Sequence, residues 1–303
     1  MATTPALIKE LRELTGSGMS DCKKALDEVG GDIKKAIEFL REKGLAAAAK
    51  KAGRIAAEGV VAVAIEGKKA VIVEVNCETD YVAINADFKA YVNEIAAQLL
   101  NSSANSVEEF LQEAWAGDAS QTVQQVLQGK IATIGENLNI RRFTKFNQEK
   151  SGIISSYIHG GGKIGAMLEI ESDSSADELK ELGHNLCMQI AALFPKYLKR
   201  EEIDQDFIEN EKKILLAAAQ LENKESDKPK PESVIEKMVE GRLTKQLKEI
   251  CLLEQEYVKE PSKTVAKYIE ETAASIGASI NLVRFVCFER GEGIEKKQED
   301  FAS

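Results

Sequence analysis

Apolar residues in the first 45 positions recur at the spacing of short amphipathic helices. The first apolar stripe comprises Leu7, Ile8, Leu11 and Leu14. Thr4 before Pro5 is typical of a helix start, and glycine-rich breaks separate the stripes that follow. Ser20 and Asp32 are placed to cap two further helices. The pattern therefore predicts a compact three-helix module over residues 1–45.

The apolar period then changes from that of a helix to the two-residue alternation of strands. An alanine-rich stretch at residues 46–57 predicts a helical linker, because alanine has the highest helix propensity. Residues 59–75 form two β-branched runs around Glu66-Gly67, which predicts a β-hairpin. Beyond it the pattern predicts a helix, more helix and then a strand, at residues 87–100, 106–133 and 134–146.

A second set of the same elements follows along the chain. Residues 152–170 predict another hairpin, and residues 176–194 predict another helix. The strand sequence IGENLNIRRFTKF at 134–146 shares six of 13 positions with IGASINLVRFVCF at 276–288. Chance similarity between amphipathic elements is the alternative to a repeat. We predict two related α+β half-domains, at residues 58–147 and at residues 148–198 with 251–290.

A highly charged insertion separates the parts of the second half-domain. Its first arm carries Ile203, Phe207, Ile214 and Leu221, and its second arm carries Ile235, Val239, Leu243, Leu247 and Ile250. Pro229 and Pro231 interrupt the arms, so residues 199–250 predict an antiparallel helical hairpin. The hairpin either packs only on itself or also carries an oligomer contact. The predicted fold class is α+β, with a short C-terminal module at residues 291–303.

The composition excludes several classes of protein. The 303 residues include 40 Lys and Arg against 50 Asp and Glu, a net charge of −10, with 44% hydrophobic and 30% charged residues. This profile is globular, and an acidic chain without a basic stripe is not expected to bind nucleic acid directly. No apolar run approaches the roughly 18 residues of a membrane helix, and no secretory signal is visible. We therefore expect no membrane association and a cytoplasmic location.

Side chains that carry chemistry are sparse. Five dispersed cysteines without a C-x-x-C pair indicate a reducing compartment and argue against a disulfide framework or a zinc site. Residues 160–165 match G-x-G-x-x-G, but a predicted strand at 166–170 follows, which favours a hairpin turn over a dinucleotide site. His184 is expected to be half-buried, and His159 to be exposed at the hairpin tip. We predict no chemical active site, no metal and no cofactor, so that the function resides in protein surfaces.

The segment Thr79-Asp80-Tyr81-Val82 is the main candidate for such a surface. It follows a buried strand and precedes a helix, so it is held at both ends. A rigid loop that presents a carboxylate and a large aromatic ring is a suitable anchor for a partner's pocket. The alternative is that Asp80 merely caps the helix and that Tyr81 packs beneath the loop.

Two long signatures and several shorter motifs run in order along nearly the whole chain. The signatures are Leu11-Arg12-x-x-Thr15-Gly16-Ser17-Gly18-Met19 with Asp21-Cys22-Lys23-Lys24-Ala25-Leu26, and Glu74-Val75-Asn76-Cys77-Glu78-Thr79-Asp80-Tyr81-Val82. The shorter motifs are Ile134-Gly135-Glu136-Asn137 with Arg141-Arg142, Glu260-Pro261-Ser262-Lys263-Thr264-Val265, and Gly291-x-Gly293-Ile294-Glu295. Together they resemble the translation elongation factor Ts family.

The resemblance implies a guanine-nucleotide exchange factor of the GTPase elongation factor Tu. It implies a ubiquitin-associated-like three-helix module, a two-part core, and a coiled-coil hairpin through which the chain forms a homodimer. The segment that inserts near the nucleotide site of the GTPase and displaces Mg²⁺, so that GDP leaves and GTP loads, is implied to be Thr79, Asp80, Tyr81 and Val82. Further partner contacts are implied at Met19 and His159.

The chain departs from the family's pattern at three places. Tyr81 stands where the family usually has Phe, glycines enlarge the hairpin tip next to His159, and the chain stops soon after Phe301. The residues alone leave three other classes of protein open: an interaction adaptor, an RNA-binding translation protein and a nucleotide-binding enzyme. Catalysed nucleotide release, the salt dependence of RNA affinity, and titration with NAD or GTP discriminate among these classes.

Overall fold

The computed structural model describes residues 3–226 and 229–295 of the chain. It begins with three helices, α1 (Pro5–Thr15), α2 (Met19–Glu28) and α3 (Ile33–Lys51). The Thr4 side chain caps α1 by accepting a hydrogen bond from the Leu7 N–H at 3.3 Å, as its sequence position predicts. The three helices bury a small core around Leu11, Cys22, Ala25, Leu26 and Ala36. The structure therefore has three helices in this part of the chain, and they share one core.

Two details of this module differ from the prediction. The cap of α2 is Gly18, which makes no side-chain hydrogen bond, and Ser20 lies inside the first turn of the helix. Helix α3 continues through Lys51, because its alanines favour the helical conformation. Residues 46–57 are therefore not a separate helical linker, since their first six residues extend α3.

The first half-domain follows α3. Its elements are β1 (Glu58–Glu66), β2 (Lys69–Cys77), α4 (Asp80–Ile84), α5 (Ala86–Asn101), α6 (Val107–Gln112), β3 (Ala114–Trp115), β4 (Asp118–Thr122), α7 (Val123–Ile134) and β5 (Asn139–Asn147). One sheet has the order β1-β2-β5, and β3 pairs with β4. The predicted continuous helix over 106–133 is wrong, because the β3-β4 hairpin interrupts it. The strand predicted from residue 134 begins later, because Gly135 at φ 88° ends α7.

The second half-domain repeats this order around an insertion. Its elements are β6 (Gly152–His159), β7 (Ile164–Ser172), α8 (Asp177–Leu193), α9 (Gln205–Glu225), α10 (Glu232–Ile250), β8 (Glu256–Tyr257), β9 (Glu260–Thr264), α11 (Val265–Ile276) and β10 (Ile280–Glu289). Its sheet has the order β10-β7-β6, so β7 is central as β2 is in the first sheet. The α+β class is confirmed, and both halves share one strand order.

Matching side-chain contacts support the repeat in detail. On the central strands, Glu74 accepts a hydrogen bond from Arg142 Nε at 2.7 Å, and Glu169 accepts one from Arg284 Nε at 2.7 Å. Gln98 bridges β3 and its turn through Ala114 and Ala116, and Gln189 bridges Glu256 and Val258 in the same way. Two side-chain hydrogen-bond arrangements thus recur at equivalent places, which chance similarity of amphipathic elements does not explain.

Helices α9 and α10 form the predicted antiparallel helical hairpin. Arg242 contacts Glu222 at 2.8 Å, and Gln246 donates a hydrogen bond to Glu211 at 2.8 Å, so the two helices run in opposite directions. The predicted apolar positions of α9 are partly wrong, because Ile214 and Leu221 are more than half exposed. The residues that face α10 in their place are Leu215, Leu216 and Ala219.

The chain divides into two compact units. The first comprises the described residues up to 146 together with 158–165 and those from 288 onward. The second comprises residues 147–157 and 166–287. The tip of the second hairpin and the start of the C-terminal module therefore belong to the first unit, unlike the predicted boundaries. The rest of the predicted module at 291–303, from residue 296, lies outside the described residues.

Candidate functional site

The chain that follows β2 forms a one-turn helix with an exposed apolar face. We call residues 79–84 the α4 tip. Thr79 caps α4 by accepting a hydrogen bond from the Val82 N–H at 3.3 Å. Tyr81 is 75% exposed and Ile84 is 68% exposed, whereas Val82 is buried. The ring of Tyr81 therefore does not pack beneath the loop, and that alternative is wrong.

The four residues of the predicted site contribute differently in this structure. Tyr81 and Asp80 present their side chains to solvent, and the Asp80 carboxylate lies in the first turn of α4, where the helix dipole favours negative charge. The Thr79 hydroxyl is engaged within the chain, and Val82 packs in the core of the first half-domain. Thr79 and Val82 thus anchor the residues that are presented.

The carboxylate of Glu136, in the loop between α7 and β5, holds the start of the α4 tip. Its Oε2 accepts hydrogen bonds from the backbone N–H groups of Glu78 at 3.0 Å and Thr79 at 3.1 Å. Its Oε1 accepts a hydrogen bond from the Thr79 hydroxyl at 2.6 Å. Hydrogen bonds to an ionised acceptor are stronger than those between neutral groups. One side chain thus fixes both the backbone and the capping residue of α4.

A reciprocal contact strengthens this attachment. The Glu78 carboxylate accepts a hydrogen bond from the Asn137 N–H at 2.6 Å and lies 3.5 Å from the Arg54 guanidinium. The Asn137 amide in turn donates to the Arg54 carbonyl at 2.8 Å. The carboxylate of Glu136 therefore accepts hydrogen bonds from the backbone of the loop that contains Glu78. The carboxylate of Glu78 accepts one from the backbone of the loop that contains Glu136.

Cys77 is the last residue of β2 and precedes the α4 tip. Its thiol donates to the Thr79 carbonyl at 3.2 Å. Burial, together with the nearby carboxylates of Glu136 and Glu58, raises the pKa of this thiol to about 12. The thiol consequently stays protonated at neutral pH and remains a hydrogen-bond donor.

Glu74, on the same strand, is a fully buried carboxylate with several partners. Its Oε1 accepts hydrogen bonds from Arg141 Nη1 at 3.0 Å and Asn76 Nδ2 at 3.0 Å. It also accepts hydrogen bonds from Arg142 Nε at 2.7 Å and from the Gly291 N–H at 2.7 Å. Burial alone raises its pKa, but the hydrogen bonds from Gly291, Asn76 and Arg142 outweigh burial, so the pKa of Glu74 is lowered.

This network joins the start of the C-terminal module to the first sheet. Gly291 has φ 70°, and a Cβ on it would lie 2.1 Å from the Ala57 carbonyl oxygen, so only glycine fits there. Arg290 contacts Glu58 at 2.5 Å, and Arg142 contacts Glu292 at 3.0 Å. The motifs Arg141-Arg142 and Gly291-x-Gly293 thus act together to fix the strand that leads into the α4 tip.

His159 is exposed at the end of β6, as predicted. The following glycines, residues 160–162, all have positive φ and form the turn. The Gly162 carbonyl accepts a hydrogen bond from the Val61 N–H at 2.8 Å, and a Cβ on Gly162 would lie 2.7 Å from Val60 Cγ1. The glycines therefore let the hairpin tip approach β1 closely, which places His159 in the same unit as the α4 tip.

Met19 lies on a different element, at the first residue of α2. It is 61% exposed, and Leu14 at the end of α1 is similarly exposed. The predicted contact residue is thus accessible on the three-helix module.

Sequence reasoning missed two residues of this site. Ile84 lies one helical turn after Tyr81 and extends the exposed apolar face of α4. Glu136 acts on a segment 57 residues earlier in the chain. A signal for Glu136 was present, because it lies in the motif Ile134-Gly135-Glu136-Asn137, but the motif alone gives no partner for the carboxylate.

The structure adds three findings on chemistry and location. Within residues 3–226 and 229–295, no group of three or more His, Cys, Asp or Glu side chains is arranged to hold a metal ion.

His184 is exposed, so the prediction that it is half-buried is wrong. Its ring packs edge-on against that of Tyr157, with 5.5 Å between the ring centroids. Among the residues that the structure describes, none of the helices combines the length and apolar character that crossing a membrane requires.

Comparison with known proteins agrees with these motifs. The sequence model of the family described as Elongation factor TS matches residues 78–292. Elongation factor Ts of Clostridium perfringens (strain ATCC 13124) is 52% identical over 301 residues, which cover 99% of this chain and 96% of the relative. Elongation factor Ts of Clostridium botulinum (strain Alaska E43) is 52% identical over 297 residues, covering 97% of this chain and 95% of the relative. The chain belongs to the elongation factor Ts family.

Proposed function

We propose that this chain is a guanine-nucleotide exchange factor that binds elongation factor Tu with GDP in the cytoplasm and promotes GDP release. The observation that carries the proposal is the 75% exposure of Tyr81 on a short helix whose start is held by Glu136. The side chains of Tyr81 and Asp80 insert near the nucleotide site of the GTPase. Thr79 and Val82 hold these two residues in position through their contacts within the chain. Met19 and His159 belong to the supporting interface. Family membership supports the choice of partner.

The proposed mechanism is non-covalent. Mg²⁺ in a GTPase bridges phosphate oxygens and demands near-ideal octahedral geometry, so a small displacement of its surroundings loosens it. GDP then loses charge compensation and dissociates, and GTP loads at cellular concentrations. By linkage, the factor must bind the empty GTPase more tightly than the filled one by the same ratio. A thousandfold weakening of GDP binding requires roughly 4 kcal/mol of differential contact.

The direct test is the release of fluorescent GDP from elongation factor Tu in a stopped-flow instrument, with and without this chain. An exchange factor accelerates release in a saturable way at catalytic amounts. An interaction adaptor would bind the GTPase and leave the release rate unchanged, which would contradict the proposal.

Asp80 is predicted to act through its charge. Replacing Asp80 by Asn keeps the shape of the side chain and removes the charge, whereas replacing it by Ala removes both. We expect each variant to slow accelerated GDP release by about three- to tenfold, because a carboxylate near the metal loses its electrostatic effect in both. Stopped-flow release measures this at low and high salt. An Asp80→Asn variant with the wild-type rate would show that shape and not charge is what matters.

We also propose that the helical hairpin contributes a homodimer contact. Ile214 and Leu221 lie seven residues apart on α9 and are both exposed, which supports an apolar contact on its outer face. Leu221→Glu is expected to shift the sedimentation coefficient from that of a dimer to that of a monomer, with unchanged helix content. A wild-type chain that sediments as a monomer at tens of micromolar would contradict this proposal.

A further inference from the structure

We infer that Glu136 is a positioning residue that sets the maximal rate of nucleotide release by holding the α4 tip in its presented conformation. This inference rests on the proposed function. Tyr81 has few contacts of its own in the free chain, since three quarters of it is exposed. Its direction is therefore determined by the backbone that precedes it.

Glu136 forms its hydrogen bonds with the residues that directly follow the end of β2. Both carboxylate oxygens are used, by the N–H groups of Glu78 and Thr79 and by the Thr79 hydroxyl, at 2.6 to 3.1 Å. The Thr79 hydroxyl oxygen also accepts from the Val82 N–H, so Glu136 orients the group that caps α4. Val82 is buried directly behind the exposed residues. Loss of the carboxylate frees the start of α4 and lets the tip occupy other conformations.

The effect on nucleotide release depends on the step at which the α4 tip must be ordered. We expect other surfaces of the chain to make the first contact with the GTPase. The entropic cost of ordering a loosened α4 tip is then added to the insertion step and not to this first contact. The maximal release rate then falls, while the concentration of factor that gives half-maximal rate changes little. A general loss of folded protein would instead lower the concentration of active factor. The molecules that remain folded would still release nucleotide by the same mechanism.

The experiment compares Glu136→Ala with a conservative and a matched control variant. Glu136→Gln retains an oxygen for the two N–H groups and keeps the side-chain length. Glu109→Ala is the matched control, because the Glu109 carboxylate likewise bonds a loop N–H, that of Asn105 at 2.7 Å, in the same unit. Each variant is titrated against elongation factor Tu loaded with fluorescent GDP, and amide hydrogen exchange at Glu78 and Thr79 is followed in the free chain.

We expect Glu136→Ala to lower the maximal release rate about tenfold, with a half-saturating concentration within about twofold of wild type. Amide exchange at Glu78 and Thr79 is expected to quicken in this variant, Glu136→Gln to retain most of the rate, and Glu109→Ala to behave as wild type. A wild-type maximal rate for Glu136→Ala would overturn the inference and leave the proposed function intact. Absence of acceleration by the wild-type chain would overturn both. If Glu136→Ala does not fold, Glu136→Asp replaces it, since a carboxylate shorter by one methylene cannot reach all three donors.

Discussion

Tyr81→Ala is expected to slow accelerated GDP release from elongation factor Tu by roughly thirtyfold. Burying a tyrosine side chain in a partner's pocket contributes about 2 kcal/mol, and each 1.4 kcal/mol corresponds to a factor of ten. The stability of the free chain is expected to stay within about 0.5 kcal/mol of wild type, because Tyr81 is exposed. Stopped-flow release of fluorescent GDP at saturating factor measures the effect, and circular dichroism measures the stability.

Two variants serve as controls for Tyr81. Tyr81→Phe keeps the ring and is expected to retain the rate within about threefold, since only the hydroxyl is lost. Ile65→Ala truncates another exposed apolar residue at the opposite end of the first hairpin. Ile65 pairs with Ala70, seven residues before Cys77 on β2, so it lies about 23 Å from the strand end that leads into the tip. A Tyr81→Ala rate equal to that of Ile65→Ala would remove Tyr81 from the mechanism.

Glu74→Ala is expected to destabilise the first unit by about 3 to 5 kcal/mol. Removing one partner of a buried ion pair is strongly destabilising. Here Arg141, Arg142 and the Gly291 N–H all lose the Glu74 carboxylate as an acceptor, although Arg142 keeps its contact with Glu292. The partly exposed guanidinium groups regain some water, which favours the lower end of this range. Urea unfolding followed by circular dichroism measures the loss, and the fluorescence of the single tryptophan, Trp115, reports on the first unit.

The internal repeat provides the matched control for Glu74. Glu169 occupies the equivalent place on β7 and is buried too. It accepts a hydrogen bond from one guanidinium group, that of Arg284, whereas Glu74 accepts hydrogen bonds from two, those of Arg141 and Arg142. Glu169→Ala is therefore expected to cost about 1 to 2 kcal/mol, less than Glu74→Ala. An equal loss in the two variants would show that the additional partners of Glu74 contribute nothing to stability.

The stabilising effect of Glu74 is expected to depend on pH in a defined direction. The pKa of Glu74 is lower in the folded chain than the usual value of about 4.3. Its ionisation therefore stabilises the fold above about pH 4.3, and this contribution is lost as the pH falls through the folded-state pKa. The difference in unfolding free energy between wild type and Glu74→Gln should be constant from about pH 6 to 8 and shrink below about pH 4.

Most of the fold could be predicted because its signals are local or repeated. The hairpins, the long helices and the final strands have clear periods, and the pair Ile-Gly recurs before β5 and β10 because glycine ends the preceding helix in each half. The β3-β4 hairpin was missed because β4 is short and polar, and so lacks alternation. The inward face of α9 was misassigned because a heptad stripe at Ile214 and Leu221 competed with Leu215 and Ala219.

The location of the candidate site could be predicted, but not its anchoring. The sequence shows a carboxylate beside an aromatic residue between a strand and a helix. It does not show whether Tyr81 points outward, because that depends on Val82 packing inward and on Glu136 bonding Thr79 across 57 residues. It also does not show that Glu74 connects Arg141 and Gly291, since each lies in a separate motif. Contacts of this kind require the tertiary structure.

The dependence of acceleration on Mg²⁺ tests most directly whether the α4 tip acts on the cation. GDP release is measured with the wild-type chain and with Tyr81→Ala, in Mg²⁺ at millimolar concentration and after its removal with EDTA. If the tip displaces Mg²⁺, the acceleration by the wild-type chain should shrink when the cation is already absent, and the difference between the two chains should shrink with it. An acceleration that is the same with and without Mg²⁺ would contradict this account.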